Sequence, residues 1–202
     1  MSTLRKAPSQ ERSRLTVEAI LDAAAQVFEK HGYAAGTTNR IADRAGVSIG
    51  SLYQYFPNKD AILIALTERH IEEGTSVMAP LLARLDQTTP LAQAIEGLVG
   101  AMVELHRQRP ALHRVLVEEA PRPAKLRARI DEVFDAAARR IAGYLRAHPE
   151  VAADDADLAA RLVVQIVESI THNLVIHPAT AADADKVAAE AVRVLTRYLT
   201  NR

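Results

Sequence analysis

Cysteine is absent from the 202 residues. That removes disulfides, thiolate metal sites and thiol catalysis, and it fits a reducing compartment. Net charge is absent as well: 25 Lys and Arg face 25 Asp and Glu. No whole-molecule field therefore draws the chain to nucleic acid or to a membrane, and any such field must be local. The first residues, MSTLRKAPSQERSR, lack the apolar centre of a secretory signal. No uninterrupted apolar run reaches the length of a membrane span. The richest stretch, 158–176, is broken by Arg161, Gln165, Glu168 and His172. These absences read as a cytoplasmic chain that does not enter the membrane. The usual enzyme signatures are missing too: there is no Gly-rich phosphate loop, no Gly-x-Ser-x-Gly elbow and no His-Glu-x-x-His. A helical enzyme is the weakest reading, and no cofactor is expected.

What is present is helix and a local charge. Residues 1–60 carry eight Lys/Arg against six Asp/Glu. Most of that excess lies at the start, where Arg5, Lys6, Arg12 and Arg14 face only Glu11. Strand patterns are nearly absent, and helical periodicity runs almost end to end with breaks at Gly or Pro. The chain is therefore expected to be all-α. Residues 1–13 are polar and aperiodic, the composition of a flexible basic arm. A helix is predicted from Leu15 to His31, with Val17, Ile20, Leu21, Ala24, Val27 and Phe28 on one face and Gly32 as its stop. Three short helices follow. Thr37 or Thr38 caps one that ends at Gly46, Ser48 caps one that ends before Pro57, and Asn58 caps one that runs to about Glu73. After Gly74, helices are expected near 91–107, 111–119, 124–147, 155–176 and 182–200, separated by Pro-containing joints.

The run TTNRIADRAGVSIGSLYQYFPNKDAIL, residues 37–63, carries the functional signal. Ile41 and Ala42 lie on the inner face of a short helix, and a small Ala42 lets a second helix cross close by. Gly46 suits a tight turn of positive φ. Val47 plugs that turn, Ser48 caps the second helix and Leu52 anchors it. This is a helix-turn-helix, whose second helix can enter the major groove of duplex DNA. Its outward face is Ser48, Ile49, Gly50, Ser51, Tyr53 and Gln54. Hydroxyls suit phosphate oxygens, Gln54 suits an adenine edge and Ile49 a thymine methyl. Tyr55 adds a phenol, and Arg40 and Lys59 add cations for phosphate. Thr37 and Thr38 read equally as caps or as DNA contacts.

In its Ile-Ala, Ala-Gly-Val-Ser, Leu-Tyr-x-Tyr-Phe and Asn-Lys-Asp sequence, this segment resembles the N-terminal domain of the tetracycline-repressor (TetR) family. Tyr55 departs from the histidine common there. The resemblance implies an N-terminal three-helix DNA-binding domain, residues 14–60, and a larger helical effector-binding and dimerisation domain, residues 61–202. It also implies a homodimeric repressor released from a palindromic operator by a small-molecule effector. An effector-independent helical regulator controlled by a partner is the alternative.

Two C-terminal segments are apolar on more than one face, a pattern that needs cover on all sides. Leu162, Ile166, Ile170 and Leu174 in the first and Val192, Leu195 and Leu199 in the second are the expected dimer interface. The resemblance implies the same pairing, as a four-helix bundle. For an apolar or amphipathic effector the candidate lining is His106, His113, Glu118, Phe134, Tyr144, Glu168, His172 and Asn173, polar groups scattered among apolar walls. Each alone also reads as a surface residue. His106 and His113 stand seven apart and His172 and His177 five apart, both poor for chelation along one helix, so no metal site is expected.

Overall fold

The apolar stripes and caps of the sequence become nine helices, with no strand, among the described residues. The structure, a computed structural model, describes the backbone of residues 7–176 and 181–200 and the side chains of residues 11–172 and 185–200. The helices are α1 (Ala7–Ala35), α2 (Thr38–Ala45), α3 (Ile49–Tyr55), α4 (Lys59–Arg84), α5 (Leu91–Arg107), α6 (Pro110–Glu118), α7 (Ala124–Ala147), α8 (Ala156–Ile176) and α9 (Ala181–Thr200).

Two units divide the chain. The first is Met1–Arg69 with Ala111–Arg122, and the second is His70–Pro110 with Pro123–Arg202. The expected boundary at residue 60 thus falls inside α4, and α6 joins the first unit. The reason is hydrophobic: Leu112, Val115 and Leu116 of α6 share a core with Ile20, Ala24 and Phe28 of α1, Ile41 of α2, Leu52 of α3 and Leu63 and Leu66 of α4. The second unit has its own core. Leu91, Ile95, Leu98 and Val99 of α5 meet Ile141 and Leu145 of α7, Ala159, Ala160 and Val163 of α8, and Leu195 and Leu199 of α9.

Two helices run further than their sequence punctuation predicts. Helix α1 begins at Ala7, so residues 7–13 are helical where a flexible arm was expected. It also continues past His31 to Ala35 through Gly32, which breaks the helical geometry at φ 69°. Helix α4 passes Gly74 and Pro80 and stops only at Arg84. A Cβ at Gly74 would stand 3.4 Å from Leu105 of α5, an ordinary contact distance. Nearby hydroxyls turn back onto the helix, Thr75 donating to the Ile71 carbonyl at 2.8 Å and Ser76 to the Glu73 carbonyl at 2.7 Å. None of the helices is long and apolar enough to cross a membrane among the described residues.

Gly36 opens the connection between α1 and α2, where there is no room for a side chain. A Cβ there would lie 2.5 Å from Cδ1 of the buried Phe28 ring and 2.9 Å from the Gly32 carbonyl oxygen. One obstacle is core and the other is backbone, so neither yields cheaply. Gly36→Ala is therefore expected to destabilise the protein by about 1–3 kcal/mol through overpacking. Thermal denaturation measures it, and an unchanged melting temperature would show that the α1–α2 connection can shift away from Phe28.

Candidate nucleic-acid interface

The α2–α3 pair is fixed by its own termini. Thr37 caps α2 with extended backbone, its hydroxyl accepting from the Arg40 amide at 3.4 Å. At the other end Gly46 is left-handed, φ 68° and ψ 28°. Its amide donates to the Asp43 carbonyl at 3.3 Å, and the Val47 amide donates to the Ala42 carbonyl at 3.1 Å. That is the glycine-closed helix end the spacing predicts. Ser48 then caps α3, accepting from the Ser51 amide at 3.0 Å. Ile41, Ala42 and Leu52 are buried beneath the turn.

With the inner face spent on packing, the outer face is left to solvent. Ser48, Ile49, Gly50, Tyr53 and Gln54 are exposed, while Ser51 is half-buried. Tyr53 is held upright from below by a hydrogen bond between its hydroxyl and that of Thr38, 3.1 Å away. Tyr55 is half-buried, and its hydroxyl lies 3.3 Å from that of Ser13. The Arg40 guanidinium is exposed and reaches back to the Ala35 carbonyl at 3.4 Å. Most of the sequence-predicted DNA residues are exposed, and one is tied by several bonds to the rest of its unit.

That residue is Lys59. Its ammonium donates to the Tyr33 carbonyl at 2.7 Å and to the Ala34 carbonyl at 3.5 Å, and it sits 3.9 Å from the centroid of the Tyr33 ring. A cation at the carbonyl end of a helix is the favourable pole of the helix dipole, and the ring face adds to it. Tyr33 in turn donates its hydroxyl to Asp60. Burial first, and then this bond to Asp60, push the Tyr33 phenol up to about 12, so it stays a donor. Asn58 completes the corner by accepting from the Ala61 amide at 2.8 Å. Lys59 thus ties the start of α4 to the end of α1.

The residues proposed to line an effector site belong to both units. His113 is buried in the first unit, where Glu118 is exposed at the end of α6. In the second unit Tyr144 is buried and donates to the Thr89 carbonyl at 2.8 Å, which His148 also contacts through Nε2 at 3.0 Å. Burial, with Glu150 and Asp86 nearby, pushes its phenol up to about 12. Phe134 is half-buried on α7. His106 is buried, and it is joined by His172 and Glu168 of α8 and by His70 of α4. His70 is missing from the sequence-predicted set, although Leu63, Leu66 and His70 recur at helical spacing on the inward side of α4. Asn173 lies outside the described side chains, as does Leu174 of the expected dimer interface. Leu195 and Leu199 of that interface are fully buried within the chain itself, so they serve its core and leave no surface for a partner. Leu162 is exposed, and Ile166, Ile170 and Val192 are half-buried.

Known proteins share both units. Residues 20–66 match the family described as "Bacterial regulatory proteins, tetR family", and residues 90–199, more than half of the chain, match "Tetracyclin repressor-like, C-terminal domain". Over 112 residues the chain is 33% identical to the nucleoid occlusion factor SlmA of Actinobacillus pleuropneumoniae, covering 54% of each protein. The chain thus spans about half the length of the curated relatives it matches. Over 134 residues it is 31% identical to the HTH-type transcriptional regulator RutR of Escherichia coli O157:H7, covering 64% of this chain and 61% of that one. The fold matches that of NalD, the secondary repressor of the MexAB-OprM multidrug efflux pump in Pseudomonas aeruginosa, with a TM-score of 0.70 at 19% identity over 94% of this chain and 98% of the other. FadR of Bacillus subtilis in complex with stearoyl-CoA gives 0.66 at 21% identity over 90% and 98%.

Replacing Lys59 by Met keeps the stem and removes the ammonium. It is expected to cost about 1–3 kcal/mol of stability, because the charged hydrogen bonds and the cation–ring attraction disappear together. Denaturant unfolding measures this, and a variant as stable as the parent would show that these contacts carry no stability.

Proposed function

From the premise that the chain belongs to the TetR family, we propose that it is a sequence-specific transcription regulator, a repressor that binds duplex operator DNA as a homodimer in the cytoplasm. The observation that carries this reading is the outward face of α3. Ser48, Ile49, Gly50, Tyr53 and Gln54 are exposed on a helix whose caps and buried Leu52 fix its position. A surface of small residues, hydroxyls and one amide lets the helix approach base edges closely, while Arg40, Thr38 and Tyr53 supply phosphate partners. Lys59 supports the reading head from behind.

A two-fold dimer presents two such helices. Its surface in this proposal is the outer side of α8 and α9, where Leu158, Leu162, Val187, Val194 and Tyr198 are exposed. Leu158 and Leu162 stand four apart on α8, and Val187, Val194 and Tyr198 seven and four apart on α9; a partner's equivalent pair would cover them as a four-helix bundle. The second unit takes the effector, an apolar or amphipathic small molecule. Its binding shifts the population towards a dimer whose α3 helices no longer match successive major grooves. Helix α4, whose residues belong to the first unit up to Arg69 and to the second from His70, is the covalent route for that coupling.

DNA selected from a random pool by the full-length protein should carry an inverted repeat, with half-sites about one helical turn, roughly 34–36 Å, apart. A motif without inverted symmetry would remove the dimeric reading. Gln54→Ala should relax preference at one base position by about 1–3 kcal/mol, whereas Tyr53→Phe should weaken all operators alike. Leu162→Asp and Val194→Asp place a charge on the exposed face, so each should yield a folded monomer that has lost operator affinity; burying an unpaired carboxylate costs several kcal/mol. Leu195→Asp should instead unfold the second unit. Sedimentation and circular dichroism separate these outcomes, and a Leu162→Asp protein that stays dimeric would move the interface elsewhere.

A further inference from the structure

Four polar side chains of the second unit converge from three helices. His70 of α4 and His106 of α5 face each other with their Nε2 atoms 3.2 Å apart and their rings 5.1 Å between centroids. His172 of α8 sets its ring edge-on to His106 at 5.5 Å, and its Nε2 lies 3.3 Å from Glu168 Oε1 one turn earlier. His106 is buried, and the other three are no more than half-exposed. Neither stability nor operator reading explains such a collection. Apolar residues would fill the same space without the desolvation penalty.

We propose that His70 and His106, completed by Glu168 or His172, bind a divalent transition-metal ion of the Zn2+ class. Nitrogens about 2.0–2.1 Å from a tetrahedral ion stand roughly 3.3 Å apart, which the two Nε2 atoms already match. The far side of each ring is arranged as metal-bound imidazoles need. His106 Nδ1 lies 2.7 Å from the Met102 carbonyl, an acceptor only, so it carries the proton and leaves the Nε2 lone pair facing His70. His70 Nδ1 lies 3.9 Å from the Glu73 carboxylate. Without an ion, the Nε2–Nε2 contact holds one proton, contributed by His70. On binding, that proton moves to Nδ1 of the same ring, towards Glu73, and both Nε2 lone pairs meet the ion; no proton need be released. Helix α8 then supplies a carboxylate oxygen or a third nitrogen, since Glu168 and His172 share one face. Spacing along one helix could not reveal this site, because each helix supplies only part of it.

The test is a Co2+ titration of the untagged, full-length protein after chelator treatment and desalting. Tetrahedral or five-coordinate Co2+ absorbs visibly and far more strongly than the hexa-aqua ion. The expected result is one such ion per chain, displaced by Zn2+. His106→Gln and His70→Gln should each lower the affinity at least tenfold. Glu73→Gln, which touches only the outer side of His70, should lower it on the order of tenfold. His148→Gln, outside the cluster, should leave it unchanged. A second reading needs no variant: nitrogen-15 spectra of the wild-type imidazoles should show the His70 proton pass from Nε2 to Nδ1 when Zn2+ is added. Octahedral Co2+ spectra, or a His106→Gln protein that is folded and titrates like the parent, would overturn the site, as would imidazole signals that ignore Zn2+. Operator binding by the chelated protein is measured separately, so a failed metal titration leaves the regulator reading standing, and the reverse holds too.

Discussion

A helix that stops inside a folded unit leaves carbonyls that nothing in the helix can satisfy. Here the end of α1 is answered from a distance of 26 residues, when Lys59 delivers its ammonium to the Tyr33 carbonyl. That single contact turns residues 35–59 into a closed loop, and the loop is the helix-turn-helix. Tyr33 donating to Asp60 and Asn58 capping Ala61 secure the same corner. With its ends pinned, the segment has only to place Ile41 and Leu52 inward for α3 to be held outward.

How much of this is readable in the sequence depends on where the deciding contact lies. The caps Thr37, Ser48 and Asn58 and the turn at Gly46 are legible because their chemistry is local: each works within four residues of itself. The length of α4 is not, because Gly74 and Pro80 are helix breakers by propensity, yet the helix runs through both. Residues 7–13 of α1 read as an arm because their composition is polar, although a polar helix can extend from one that is already nucleated.

The candidate sites show the same division. The face of α3 is legible because helical spacing alone separates Leu52 from Tyr53 and Gln54. The bond from Lys59 to the Tyr33 carbonyl is not legible, because the two residues stand 26 apart in the chain. Leu195 and Leu199 read as an interface because a helix apolar on several faces needs cover, and sequence does not say whether that cover comes from the same chain. It does for these two. The histidines are the clearest case, because their arrangement belongs to three helices at once and has no linear pattern.

The cap geometry of α3 has one more consequence. Ile49, Gly50 and Gln54 contribute nothing to the core beneath them; the work of holding the helix falls to Ser48, Leu52 and the buried turn. Packing and the exposed surface therefore sit on separate sets of positions within seven residues. A lineage carrying this scaffold can exchange the three outward residues at little thermodynamic penalty, and so vary the outer face of α3 by neutral drift before any compensating change in the core is required.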